Sequence, residues 1–360
     1  MKRVVKSMAA AVGYHSGALN LVQQWHRRTN PDRALTVVGY HRVTKDIHAD
    51  EDSAPLGMFV TEETFARQIE FLSARYRILG LPELQALCDA QRPLPPRACL
   101  ITFDDGWRDN YTLAFPILRA RSIPAVVLVA TDYVGTEKPF WYSRLIRLLR
   151  RGRRSRVTAD LLRDMSLPDA VRSELLTLGR IEGDLSARAI EPLIGLMSSL
   201  QMGTIDRLVA FLAQHLGEDQ GARSDERLML NWEELGEMAC GGITVGSKTC
   251  ALPMLTTLTA EQARFELEES KRVIEGRLGV PVLSFVFPHG AYTDALLTLA
   301  WDVGYRVVFL SSPRTPPAGK GRVFRCLCVH EGVSTGPDGR FSPGLFALGL
   351  SRVDELLARR

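Results

Sequence analysis

The strongest constraint on this chain is the alternation of short β-rich runs with helical patterns along most of its length. The runs fall at 35–41, 98–103, 125–130, 243–246, 282–287, 306–310 and 323–328. Helical spacing lies between or after them at 62–75, 109–121, 232–239, 259–278 and 293–303. A strand, a helix and a second strand in succession return the chain parallel to its start. The pattern therefore predicts an α/β fold on a parallel sheet, open or closed into a barrel. The helix at 259–278 is the best delimited. Thr259 and Gln262 are spaced as a capping box, Glu268 and Arg272 as an i,i+4 ion pair, and Gly279-Val280-Pro281 ends it.

The stretch 144–230 breaks the rhythm. It is rich in Arg, Leu, Glu and Ser, with helical spacing and no clear strand. The predicted organisation is a helical lead-in over 1–34, a first barrel part over 35–143, a helical insertion over 144–230, a second barrel part over 231–330 and an extension over 331–360. The insertion carries no catalytic-looking cluster, so a structural role, a lid or a partner surface remain its readings.

With 46% hydrophobic and 24% charged residues, the composition is that of a soluble globular protein. The formal net charge of +4 is slight for 360 residues, and no nucleic-acid partner is expected. Much of the basic excess is local, in Arg147, Arg150, Arg151, Arg153, Arg154 and Arg156. That cluster suits an acidic glycan, a lipid phosphate or a nucleic acid, or more plainly a solvated linker or helix end. Cys88, Cys99, Cys240, Cys250, Cys326 and Cys328 are scattered, with Cys326 and Cys328 on one face of a strand and no zinc-ribbon spacing. Mostly reduced, buried thiols are expected, which suits a reducing compartment. No run is long enough to span a bilayer, and the apolar stretch from Met8 to Val12 is too broken for a signal sequence. The expected location is cytoplasmic, or peripheral to the inner membrane.

The chemistry is concentrated at Thr102-Phe103-Asp104-Asp105-Gly106, directly after the apolar run Ala98-Cys99-Leu100-Ile101. Adjacent carboxylates at a strand end repel each other, which a fold tolerates mainly where a cation or a proton-transfer role compensates. Several further segments accompany this one: Tyr40-His41-Arg42-Val43, Asn110-Tyr111, Phe140-Trp141, Trp232-Glu233 with Met238, Phe287-Pro288-His289-Gly290, and Gly304-Tyr305. In order and spacing the set resembles the polysaccharide deacetylase family of carbohydrate esterases over residues 35–330.

The resemblance implies a distorted (β/α) barrel of about seven strands, with its site at the carboxyl ends of the strands. It also implies metal-assisted hydrolysis of the acyl group on an acylated sugar, a C–N or ester bond. Asp104 stands at the position of the general base and Asp105 at that of a metal ligand. His289 falls where the family binds the oxyanion, and His330 near a late motif that carries a catalytic-acid histidine. Tyr40, His41, Trp107, Pro288 and Gly290 are the implied substrate-binding positions. The partners implied are an acylated oligosaccharide or lipid-linked glycan and glycan-assembly proteins.

The chain departs from the family at its second motif, Gly-Ser-His-Thr-x-x-His-Pro-x-Leu. Here Gly246-Ser247-Lys248-Thr249-Cys250-Ala251-Leu252-Pro253-Met254-Leu255 keeps the frame and replaces both metal-binding histidines, by Lys248 and Leu252. Leu252 has no donor atom, and a protonated lysine offers no lone pair. No metal cofactor is therefore expected at the usual site. Three readings follow. In the first, the Lys248 ammonium takes the place of the cation and neutralises Asp105. In the second, zinc moves onto Asp105 with two of His41, His289, His330 and Cys250. In the third, the barrel hosts a different chemistry, with His289 as a base.

Overall fold

The computed structural model describes residues 2–29, 34–152, 156–217, 227–311 and 322–351. Seven strands form a closed parallel barrel: β1 (Leu35–Tyr40), β2 (Ala98–Asp105), β3 (Ala125–Val129), β4 (Ile243–Ser247), β5 (Ser284–Val286), β6 (Val307–Leu310) and β7 (Arg322–Cys328). Each pairs with the next in chain order, and β7 pairs with β1 to close the ring. All seven expected strands are present, and the sheet is closed rather than open. A two-residue strand, Arg77–Ile78, adds to the start of β2, and Arg42–Thr44 pairs with Phe59–Thr61 in a small separate sheet.

The two-residue period of a strand sorts side chains into two layers. Val37, Leu100, Val126, Leu128, Val286, Val307 and Phe309 form an inner cluster. Val38, Ile101, Phe103, Val127, Phe285 and Val308 face the surrounding helices. The inner space is tight near β1: a Cβ on Gly39 would lie 2.3 Å from Cys326 Sγ.

The helices Glu62–Arg75, Trp232–Cys240, Ala260–Leu278 and Asp294–Asp302 match their predicted spans closely. The capping box of Thr259 and Gln262 is formed, and Gly279 closes the helix in the left-handed conformation at φ +67°. The expected Glu268–Arg272 pair is not. Arg272 grips both carboxylate oxygens of Glu269 at 2.6 and 2.7 Å, and Glu268 receives Arg264 at 3.0 Å. The span 109–121 is also not one helix. A π turn over Asn110–Ala114 precedes Phe115–Arg119, because Pro116 cannot donate into the preceding turn. Leu81–Asp89 is a helix with no counterpart in the predicted set.

Within 144–230 the chain is helical, in Trp141–Arg151, Asp169–Gly179, Ala187–Met197 and Met202–Leu216. These helices share a core of Leu145, Leu175, Ile190 and Leu208 that also takes in Trp107, Phe140 and Leu252. The insertion is thus packed against loops that leave β2 and β4. Part of the arginine cluster ties the insertion to the segment after β1: Arg150 pairs with Glu51 and Asp52, and Arg151 with Asp52. Arg153 and Arg154 lie outside the described residues. All six cysteines are free thiols, and Cys240 is exposed. Among the described residues no helix is long and apolar enough to cross a membrane.

Candidate functional site

Asp104 and Asp105 end β2 at the carboxyl rim of the barrel. On a regular strand, neighbouring side chains point to opposite faces. Asp105 escapes that rule through a left-handed φ of +77°, followed by Gly106 at +81°. Both carboxylates can then meet one partner, and that partner is Lys248. Its Nζ lies 2.6 Å from Asp105 Oδ1 and 3.1 Å from Asp104 Oδ2. All three side chains are buried, none more than 7% exposed.

Lys248 is delivered by the register of the sheet. β3 and β4 pair Leu128 with Gly246 and Val129 with Ser247, and Lys248 N–H then donates to Val129 O at 2.8 Å. The following loop is held by its own hydrogen bonds. Thr249 N–H donates to Ser247 Oγ at 3.1 Å, Leu252 N–H to Thr249 Oγ1 at 3.1 Å, and Cys250 and Ala251 N–H both to Glu266. Thr249 and Leu252 sit at positive φ. The Leu252 side chain is packed into the core of the insertion. Of the two positions where the resemblance implies histidine, one thus holds an ammonium and the other a packed aliphatic group.

Three further side chains complete the cluster. His41 follows β1, and its Nε2 lies 3.8 Å from Asp104 Oδ2, the oxygen that also accepts from Lys248. His41 Nδ1 and Asp104 Oδ1 are buried without a hydrogen-bond partner. Trp107 donates its indole N–H to Asp105 Oδ2 at 3.4 Å. His289 occupies a tight turn at φ +56°. Burial lowers its pKa to about 4, with the Lys248 charge adding to the fall and Asp105 opposing it, so the ring is neutral near neutral pH. Burial would raise the Asp105 pKa, but the Lys248 ammonium outweighs it and holds the carboxyl below its ordinary value. The two carboxylates in turn overcome burial and raise Lys248. Asp105 and Lys248 thus each hold the other in its charged form.

The structure brings together Asp104, Asp105, Lys248, His41, Trp107 and His289. His330 has other partners. It caps the short helix Glu331–Ser334, accepting from Gly332 N–H at 3.2 Å, and its charged neighbours are Glu191 and Glu331. Tyr40 is a correction to the expected substrate contacts. Strand alternation turns it to the opposite side from His41, where it is fully buried against Phe65 and Phe103. Trp107, 1% exposed, and the buried Pro288 and Gly290 are likewise framework rather than surface. The relocated zinc site also lacks support: among the described residues no three His, Cys, Asp or Glu side chains cluster as ligands.

Sequence reasoning missed the residues that hold this cluster. Arg42 pairs with Asp109 and lies 4.3 Å over the Trp107 ring, while Asn110 donates to the His41 carbonyl at 2.8 Å. Together they lock the His41 strand end to the loop after β2. Tyr142 lies at the insertion's edge; burial first, then the Asp105 charge, raises its phenol well above its ordinary value. Glu266, the clasp of the 248–252 loop, sits inside a well-marked helix, and nothing local distinguishes it. Arg42 and Asn110 stand in the family-like segments, so their positions were visible though their roles were not.

A seven-strand parallel (β/α) barrel with an aspartate pair at its carboxyl rim is the architecture that the resemblance implied. The family model for polysaccharide deacetylases matches residues 91–167 and 205–308. The chain belongs to the polysaccharide deacetylase family. The unmatched interval between those two blocks lies inside the helical insertion. Among solved structures, the Streptococcus pyogenes deacetylase PplD aligns over 88% of this chain and 97% of its own, with a TM-score of 0.54 at 14% identity. IcaB from Ammonifex degensii covers the same shares, with a TM-score of 0.51 at 18% identity. The Escherichia coli K12 poly-beta-1,6-N-acetyl-D-glucosamine N-deacetylase is 30% identical over 109 residues, 29% of this chain. The matched part spans 15% of that enzyme's length.

The residues present do not fit the divalent metal of the family. An ammonium bonded to both carboxylates occupies the position a cation would need, and Leu252 offers no donor.

Proposed function

We propose that this chain is a metal-independent member of its family in surface-glycan metabolism, one that binds acylated glycan without metal-dependent deacetylation. The observation that carries this reading is the Lys248 ammonium within 3.1 Å of both Asp104 and Asp105. It engages Oδ2 of the carboxylate at the base position. The two carboxyl groups also share this one ammonium. Amide hydrolysis builds negative charge on the carbonyl oxygen, which needs donors or cations not already committed elsewhere. His289, neutral near neutral pH, supplies no compensating charge. The chemistry that remains is recognition of a sugar chain at the barrel mouth, with a lipid-linked glycan or glycan-assembly proteins as further partners. A cytoplasmic or membrane-peripheral location accords with this role.

One observation favours a second reading, a slow metal-free hydrolase. Asp104 Oδ1 and His41 Nδ1 are buried without partners and could serve a water. Purified full-length protein distinguishes the two. The probe is an N-acetylated glucosamine oligomer, suggested by the name of the Escherichia coli relative. The expected result is binding by calorimetry, no acetate release with or without added zinc, and far less than one transition metal per chain. Acetate release that disappears in Asp104→Asn would establish the hydrolase. About one tightly held zinc per chain would overturn the metal-independent reading altogether.

A further inference from the structure

Cys326 and Cys328 lie two residues apart on β7, so their side chains share one face of the strand. That face is turned into the barrel. Cys326 packs against the inner cluster, and its Sγ lies 3.6 Å from Thr102 Oγ1 of β2. Cys328 is one step nearer the carboxyl rim, in register with Gly39 of β1. Two residues beyond Gly39 comes His41, whose Nδ1 is buried without a hydrogen-bond partner. Both cysteines are free and half-buried, on a strand whose every residue is partly exposed. A thiol pair beside an imidazole is thus in partial contact with solvent.

The surroundings divide the two thiols. Cys326 donates a hydrogen bond and Cys328 accepts it. That bond does most to lower the Cys328 pKa, to about 6. Burial opposes the fall, His41 adds to it, the Asp104 charge opposes it and the Ser311 hydroxyl adds to it. The same bond, with burial, raises Cys326 well above its ordinary value. One sulfur is therefore a thiolate near neutral pH, and the other is its protonated donor. The thiolate is the reactive form of cysteine. Two residues apart on an extended strand, Cα atoms are about 6.6–6.8 Å from each other with parallel side chains, the long limit for a disulfide. The second thiol thus supports the first and is poorly placed to bond to it.

We propose that Cys328 is a modification site for peroxides, a reactive sulfur at the barrel rim supported by the Cys326 thiol and flanked by His41. The Cys328 sulfur attacks one peroxide oxygen. An S–O bond forms, the O–O bond breaks, and hydroxide leaves, taking a proton from solvent to become water. The sulfur is oxidised by two electrons and the peroxide is reduced by two. The product is a sulfenic acid. A small thiol then attacks that sulfur, an S–S bond forms and water leaves. This inference is independent of the reading of the Asp104–Asp105–Lys248 cluster, and its test uses no glycan.

The test is alkylation of the folded, reduced full chain by iodoacetamide at pH 6, with each cysteine followed by peptide mass spectrometry. Exposure alone would make Cys240 the fastest. The expected result is that Cys328 reacts first, a ranking that needs no variant. Cys326→Ala removes the donor and should slow Cys328 about tenfold. At pH 6 a pKa of about 6 leaves about half the thiol ionised, and one near 8.5 leaves about 0.3%; the weaker nucleophilicity of the more acidic thiolate takes back about tenfold of that difference. Cys326→Ser keeps an O–H donor and should retain most of the rate, which loss of packing alone would not explain. One equivalent of hydrogen peroxide followed by dimedone should label Cys328 ahead of the other five cysteines. Faster alkylation of Cys240, or a Cys328 rate unchanged in Cys326→Ala, would overturn the proposal. So would a Cys326–Cys328 disulfide formed in place of the dimedone adduct.

Discussion

Removing Lys248 as Lys248→Met tests the electrostatic core of the site. The side chain is exchanged for one of similar volume, so packing changes little and the lost term is charge. Asp104 and Asp105 would remain as adjacent buried carboxylates with no cation within bonding distance. Removing one partner of a buried ion pair costs about 3–5 kcal/mol. Proton uptake sets a ceiling in the same range. Protonating a carboxylate of ordinary pKa at neutral pH costs about 4 kcal/mol, from about 1.4 kcal/mol per unit over about three units. The pH dependence has a definite sign. Asp105 has a lowered folded pKa, so its contribution is present above the unfolded value and is lost as pH falls through the folded one. Lys248 has a raised folded pKa, so its contribution is present below the unfolded value and is lost as pH rises through the folded one. The penalty of Lys248→Met should therefore be largest at neutral pH and shrink as acid protonates the pair. Urea denaturation of the parent, Lys248→Met, Asp105→Asn and the double variant measures the coupling. About 2–3 kcal/mol is expected at neutral pH, with Asp105→Asn recovering stability in the Lys248→Met background. A coupling below about 0.5 kcal/mol would refute the idea that lysine replaces the metal.

Three further outcomes follow from the same geometry. Lys248→His combined with Leu252→His returns two imidazoles to the frame beside Asp105, and elemental analysis should find about one zinc per chain where the parent holds little. His289 should titrate near pH 4 by NMR, shifting upward in Lys248→Met because the neighbouring positive charge is gone; a midpoint at the ordinary histidine value in the parent would contradict its burial. Gly39→Ala places a Cβ 2.3 Å from Cys326 Sγ and 3.1 Å from Thr102 Oγ1, and should cost about 1–3 kcal/mol in unfolding free energy, relieved in part by Cys326→Ala.

The sequence by itself determined the strand count, most of the helices that flank the strands and the lack of a donor atom at Leu252. These are local properties. A buried parallel strand must be continuously apolar, a capped helix carries its own start and stop signals, and no environment supplies Leu252 with a donor atom. The ends of elements with strong local signals were legible to a residue or two, as at Thr259 and Gly279. Where two local choices were nearly equal in energy, as for the partner of Arg272, only the folded helix decided. The site was legible in part. One of the three sequence readings paired Lys248 with Asp105, but its simultaneous contact with Asp104 and Asp105 depends on Asp105 leaving regular strand geometry at φ +77° and on the β3–β4 register. Strand alternation separated Tyr40 from His41, and the short helix after β7 took His330 to Glu191 and Glu331. The braces Arg42–Asp109 and Glu266 with the 250–251 backbone join residues distant in the chain. Such contacts leave no periodic trace in a sequence, because they are chosen by which loops the closed barrel brings to one rim.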